Sequence, residues 1–178
     1  MESTAEQQLV LDAKGGDVAA FEAILAPLVE PAHRFATALL QDPDLAKDAV
    51  QEACLRAWRK LGNVRPGSPV RPWFLGIVAN QCREQTRGRW WQVIRMPQPD
   101  RSDNELPEDS AIRNMQVRDA LMKLGDRERR VLILRVYLDL PWVEVAAASG
   151  LTEAGARTRY YRALDRLRPL SASEEALT

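Results

Sequence analysis

Histidine and cysteine are nearly missing from this 178-residue chain, which has one histidine, His33, and two cysteines, Cys54 and Cys82. Protein metal sites are commonly built from clusters of these side chains, so a zinc centre has nothing to form it. The two cysteines lack metal-ligand spacing. They read as buried, reduced thiols of a cytosolic protein, with a regulatory disulfide as the alternative. No apolar run approaches the length that crosses a bilayer, so membrane insertion is not expected. The first residues, Met1-Glu-Ser-Thr-Ala-Glu6, are acidic and polar, unlike a secretory signal, and imply a cytoplasmic location. Strand-like alternation and internal repeats are missing as well. So are paired carboxylates and a phosphate-cradling glycine loop, which leaves enzymatic chemistry and a bound cofactor without support. What remains is a soluble globular composition, 46% hydrophobic and 28% charged.

Net charge is also absent: 25 basic and 25 acidic side chains give a formal charge of zero. The balance hides segregation. Residues 71–96 carry five Lys/Arg against one acid, and residues 113–170 carry twelve against seven. Between them, residues 97–112 carry one against five. Two basic blocks joined by an acidic strap suit two separate contacts with a polyanion.

The apolar periodicity is helical throughout and predicts an all-α chain. Thr4 to Gln7 resembles a capping box for a first helix through about Lys14, ended by Gly15-Gly16. A second helix covers about Val18–Leu40, with Pro27 and Pro31 predicting a kink or break. Asp42-Pro43-Asp44 opens a third helix that reaches about Leu61. A Pro/Gly-rich loop, Gly62 to Pro72, precedes a fourth helix over about Trp73–Arg89. Residues 1–96 thus form one small helical domain and residues 97–111 an acidic flexible linker. Fully extended, residues 97–112 span roughly 50 Å. A second small helical domain, 112–170, begins with helices near Ile112–Leu124 and Arg127–Leu138, and 171–178 reads as a frayed tail.

The second domain holds the most informative run, Pro141 to Arg162. Ala146 is small, as a close helix crossing requires, and Gly150 follows four residues on, where a left-handed turn costs glycine nothing. Thr152 can cap the next helix, which carries Arg157, Arg159, Arg162, Arg166 and Arg168. A short helix, a glycine turn and an arginine-rich helix are the parts of a helix-turn-helix that reads the major groove. The same pattern is that of a helical hairpin with a solvated basic face.

Two further helix faces are unusual. On the third helix, Ala46, Val50, Ala53, Ala57 and Leu61 form a core stripe, while Asp48, Gln51, Glu52, Leu55 and Arg59 share the opposite side. A leucine among carboxylates and an amide suits docking, though single exposed leucines are ordinary. On the fourth helix, Trp73, Phe74 and Ile77 can anchor, and Gly76, Asn80, Arg83 and Arg87 share one side, with Trp90 and Trp91 beyond. Amide, guanidinium and aromatic groups together suit unstacked bases and phosphates. A solvated basic face over core tryptophans would look the same.

The order of these pieces resembles the extracytoplasmic-function group of bacterial RNA polymerase sigma factors, of the sigma-70 family. The resemblance rests on Asp17-Val-Ala-Ala-Phe21, on Asp42 to Glu52 continuing to Arg56-Ala-Trp58, on Arg71-Pro-Trp73 to Asn80, and on Arg157-Thr-Arg159-Tyr-Tyr-Arg162. It implies an alternative sigma factor that binds core RNA polymerase and promoter DNA and is held by an anti-sigma factor. Asp48, Gln51, Glu52, Leu55 and Arg56 would meet the polymerase clamp. Trp73, Asn80, Arg83 and Arg87 would lie at the minus-ten element, with the Gly62–Pro72 loop holding a flipped base. The acidic linker would run through the polymerase cleft. Arg157, Thr158 and Tyr161 would read bases of the minus-thirty-five element, and Arg159 and Arg162 its phosphates. Gly155, Ala156 and Tyr161 depart from the group's usual residues. The competing expectation is a helix-turn-helix repressor or activator that acts as a dimer on a palindromic site.

Overall fold

Side-chain caps set the starts of the long helices. Ala20 N–H donates to Asp17 Oδ1 at 3.1 Å, and Leu45 N–H donates to Asp42 Oδ1 at 3.1 Å. The computed structural model describes the backbone of residues 2–65, 67–93, 117 and 119–175, and the side chains of 5–65, 67–86, 117 and 119–168. The acidic linker, 97–111, lies outside the described residues. Helix α1 spans Glu2–Lys14, α2 Val18–Leu40, α3 Pro43–Lys60 and α4 Val70–Val93, with a 3₁₀ turn at Leu61–Asn63. After a helical turn at residues 119–122 come α5, Asp126–Leu132, a π turn at Ile133–Tyr137, α6, Trp142–Ser149, and α7, Glu153–Glu175. The fold is all-α.

Three expectations are corrected by the backbone. Thr4 lies within α1, which already begins at Glu2, so the helix does not start at Thr4. The acid that does cap is Glu6: its Oε1 accepts Val70 N–H at 3.1 Å and so ties α1 to the start of α4. Helix α2 runs unbroken through Pro27 and Pro31. Eight side chains on its buried face, among them Ile24, Leu25, Phe35 and Leu39, are held by packing that outweighs the backbone bonds the prolines remove. Helix α7 continues to Glu175, into the stretch read as a tail, because Ser171-Ala-Ser-Glu-Glu175 contains no breaker.

Helices α2, α3 and α4 pack on one another, with α1 against α2. Ala46, Ala49, Ala53 and Ala57 are fully buried along α3, so small residues let α3 lie close to its neighbours. The apolar cluster does not stop at Cys82. It continues without a gap through Val131, Ile133, Leu134, Leu140, Val145, Ala148 and Ala156. Helix α6 lies on α4, and the π turn lies on α2. A smaller cluster of Leu124, Leu132 and Ala163, with Tyr160, Leu164 and Leu167 around it, joins α5 to α7.

Neither cysteine is in a disulfide; Cys82 is buried and Cys54 half-buried. Burial raises both thiol pKa values, that of Cys82 to about 12. The neutral thiol is therefore favoured by folding. This contribution is complete below the unfolded value of 9.0 and is lost as pH rises toward about 12. At pH 7.5 the native chain will be alkylated at Cys82 far more slowly than the chain in denaturant, a difference read by mass spectrometry. Equal rates would mean that the thiol is not held in the core.

Candidate nucleic-acid and polymerase interface

Helix α3 sorts its residues as its periodicity predicts. Asp48, Gln51 and Arg59 are exposed, and Leu55 is 54% exposed among them. Glu52 and Arg56 are engaged elsewhere. Arg56 donates through Nε to Glu52 Oε1 at 3.0 Å and through Nη1 to Glu84 Oε1 of α4 at 3.0 Å. The bond from Arg56, helped by the charges of Arg56 and Arg83, holds the Glu84 carboxyl below its ordinary pKa, against burial, which acts to raise it. Gln81, almost fully buried, belongs to the same knot: with its amide turned, its oxygen accepts from Arg56 Nη1 at 2.6 Å. Arg56 thus fixes the angle between α3 and α4, and Asp48, Gln51 and Leu55 are left facing solvent.

On α4, Phe74 and Ile77 are buried and Trp73 half-buried, which makes the first two the anchors. Gly76, Asn80 and Arg83 share one side, and Arg83 Nη2 donates to Asn80 Oδ1 at 3.3 Å. The side chains of Arg87, Trp90 and Trp91 lie outside the described residues. Asn80 and Arg83 line a cleft of about 560 Å³ together with Trp73, Gly76, Lys60, Arg127, Arg130 and the turn after α6.

The helix-turn-helix has the geometry its sequence foretold. Gly150 adopts φ +66° and closes α6, with its N–H donating to Ala147 O at 3.2 Å. Thr152 Oγ1 accepts Gly155 N–H at 3.1 Å. Leu151, Ala156, Tyr160, Leu164 and Leu167 turn inward. Arg157, Thr158, Tyr161 and Arg162 are exposed, Tyr161 at 59%, while Arg159 is half-buried with Nη1 donating to Gly155 O at 3.4 Å. The Thr158 hydroxyl donates to Ala154 O at 2.9 Å, back along its own helix.

One residue escaped the sequence reading. Trp142, at the start of α6, carries Arg157 over its ring at 5.0 Å and Arg135 at 5.4 Å, with Tyr160 edge-on at 5.3 Å. It joins α6 to α7 and holds Arg157 against its ring, so little side-chain freedom is left to lose on binding. A Pro-Trp helix start ahead of an arginine-rich helix was the signal that could have found it. Among the described residues no cluster of His, Cys, Asp or Glu could hold a metal ion, and no helix is long and apolar enough to cross a membrane.

A helix-turn-helix alone serves many regulators; what decides the matter is the match of both halves to two parts of one protein. Residues 25–92 match Sigma-70 region 2, and residues 114–167 match Sigma-70, region 4. The chain belongs to the sigma-70 family, extracytoplasmic-function group. It is 27% identical to the RNA polymerase sigma-E factor of Streptomyces avermitilis, over 86% of each chain. It is 27% identical to the ECF RNA polymerase sigma factor SigL of Mycobacterium tuberculosis, over 76% of this chain and 79% of that one. Its fold is similar to that of CnrH in the complex with the cytosolic domain of CnrY, with a TM-score of 0.72 at 24% identity, covering 98% of this chain and 99% of that one. The sigma factor is an alternative one that directs transcription initiation.

Proposed function

We propose that this sigma factor docks on core RNA polymerase through Asp48, Gln51 and Leu55 of α3. Glu52 and Arg56 support that face through their tie to Glu84. Trp73, Asn80, Arg83 and Arg87 of α4 serve the minus-ten element. Arg157, Thr158 and Tyr161 of α7 serve bases of the minus-thirty-five element, and Arg159 and Arg162 its backbone. Residues 1–96 and 112–170 work as the two DNA-contacting domains and 97–111 as the linker through the polymerase cleft. The protein acts in the cytoplasm and performs no chemistry itself. CnrH is bound by CnrY, and an anti-sigma protein likewise holds this chain until it is needed.

The observation that carries this reading is the cation-and-aromatic surface of α7, where Trp142 holds Arg157 at 5.0 Å and Tyr161 and Arg162 stand exposed beside it. Transcription in vitro with core enzyme and a randomised promoter library tests it. The expected product is one start site preceded by two dissimilar elements; enrichment of a palindrome would instead fit a dimeric regulator.

Arg157→Ala will relax selection at one base pair of the upstream element, with discrimination falling by roughly 1–3 kcal/mol. The library readout checks it. A uniform loss across all sequences would place Arg157 on phosphate.

A further inference from the structure

Helix α1 lies outside the stretch that matches Sigma-70 region 2, which begins at residue 25. Its inward stripe, Glu6, Val10, Ala13 and Lys14, has the spacing of one helix face. Val10 and Ala13 are buried, as a packing face requires. The two charged members of the stripe are half-buried, and both bind the loop that precedes α4. Lys14 Nζ donates to Val64 O at 2.6 Å, and Glu6 Oε1 accepts Val70 N–H at 3.1 Å. Val64 and Val70 are the points at which this loop leaves and re-enters the core, at 4% and 1% exposure. Between them Arg65, Gly67, Ser68 and Pro69 are exposed. Gly67 adopts φ +76°, and a Cβ added to it would stand 3.7 Å from Gln7 Nε2. One helix thus meets the loop at its entry, its turn and its exit.

These contacts answer a need of the loop. Pro66, Gly67 and Pro69 favour neither helix nor strand, so no regular backbone ladder sets its shape. A loop that must first be ordered binds a base more weakly; one fixed at both ends has lost that freedom on folding. The ties go to backbone groups that need a partner. Val70 opens α4, so its N–H has no acceptor within the helix. A carboxylate at that end also meets the helix dipole favourably, and an ammonium on a carbonyl is a charge-assisted bond. Trp73 stands one turn on from Val70, so the Glu6 bond also fixes where the start of α4 meets the loop.

We infer that α1 is a positioning element for minus-ten recognition. Glu6 and Lys14 hold the ends of the loop in the shape that receives an unstacked base, and so set base choice without touching DNA themselves. The inference rests on the proposed role of α4 and extends it to the helix behind the loop.

The full chain with core enzyme and the randomised promoter library tests this. Glu6→Ala combined with Lys14→Met should lower discrimination among bases of the minus-ten element by about 10-fold, the scale of a lost hydrogen bond to a charged group. Preference at the minus-thirty-five element and affinity for core enzyme should not change. Lys14→Arg, which keeps a cationic donor, should retain the wild-type preference. Leu11→Ala, on the exposed side of α1, should do the same. In the free double variant, amide exchange read by mass spectrometry should be about 10-fold faster at Val70 and its neighbours while helical circular dichroism stays. A uniform loss of transcript with base preference intact would make α1 a structural support only and overturn the inference. Unchanged exchange in the double variant would overturn it as well. If that variant does not fold, Glu6→Ala and Lys14→Met made singly carry the same readouts. If the wild type itself shows no preference at minus-ten, the proposed role of α4 fails, and exchange still decides whether α1 holds the loop.

Discussion

Asp48→Arg combined with Leu55→Asp is expected to abolish binding to core RNA polymerase while the chain keeps its fold. Both side chains are solvent-facing on α3 and make none of the described hydrogen bonds or ion pairs, so the fold loses little. At an interface, a central leucine and a carboxylate opposite a basic partner are each worth about 1.5–3 kcal/mol, and a reversed charge adds repulsion. Together they weaken binding on the order of 100-fold or more. Titration of fluorescently labelled chain with core enzyme measures it. Glu52 is the poorer choice for reversal, because a lysine there would face Arg56 and loosen the tie to Glu84. A double variant that bound as tightly as the wild type would remove α3 from the docking surface.

Phe74→Ala is expected to cost the most in stability. Phe74 is fully buried on α4, in the cluster shared by both halves of the chain. Truncating such a phenylalanine costs about 3–5 kcal/mol, from lost burial and the cavity left behind. For a chain of this length that lowers the melting temperature by roughly 10 °C. Denaturant unfolding followed by circular dichroism gives the number directly. Leu55→Ala, on the exposed side of α3, should change stability by less than about 0.5 kcal/mol. A Phe74→Ala loss no larger than that control would mean that α4 is not part of the core.

These two residues also mark what was legible in the sequence. Local signals carried far: Asp17 and Asp42 as caps, the alanine stripe of α3, and the Ala146, Gly150 and Thr152 pattern all describe groups within a few residues of one another. Buried Phe74 and exposed Leu55 followed from period alone. What period cannot carry is contact between distant segments. Glu6 caps Val70, Arg56 reaches Glu84 and Gln81, and Gly76 meets Ala148, across separations of 64, 28 and more residues. Arg56 shows the same limit: the resemblance puts it at the docking face, and its contacts join α3 to α4 across 28 residues. Trp142 was passed over because its value lies in the arginines stacked on it from before and after it in the chain. The unbroken α2 shows the same limit, since its prolines predict a kink or a break, and tertiary packing overrides the break.

Promoter selection here turns on a single chain carried to DNA by polymerase. Light scattering coupled to gel filtration, on the protein alone and with core enzyme, measures that most directly. The predicted result is a monomer of 20.1 kDa that shifts entirely into a one-to-one complex with core enzyme. A stable dimer that ignored core enzyme and bound inverted-repeat DNA by itself would contradict it.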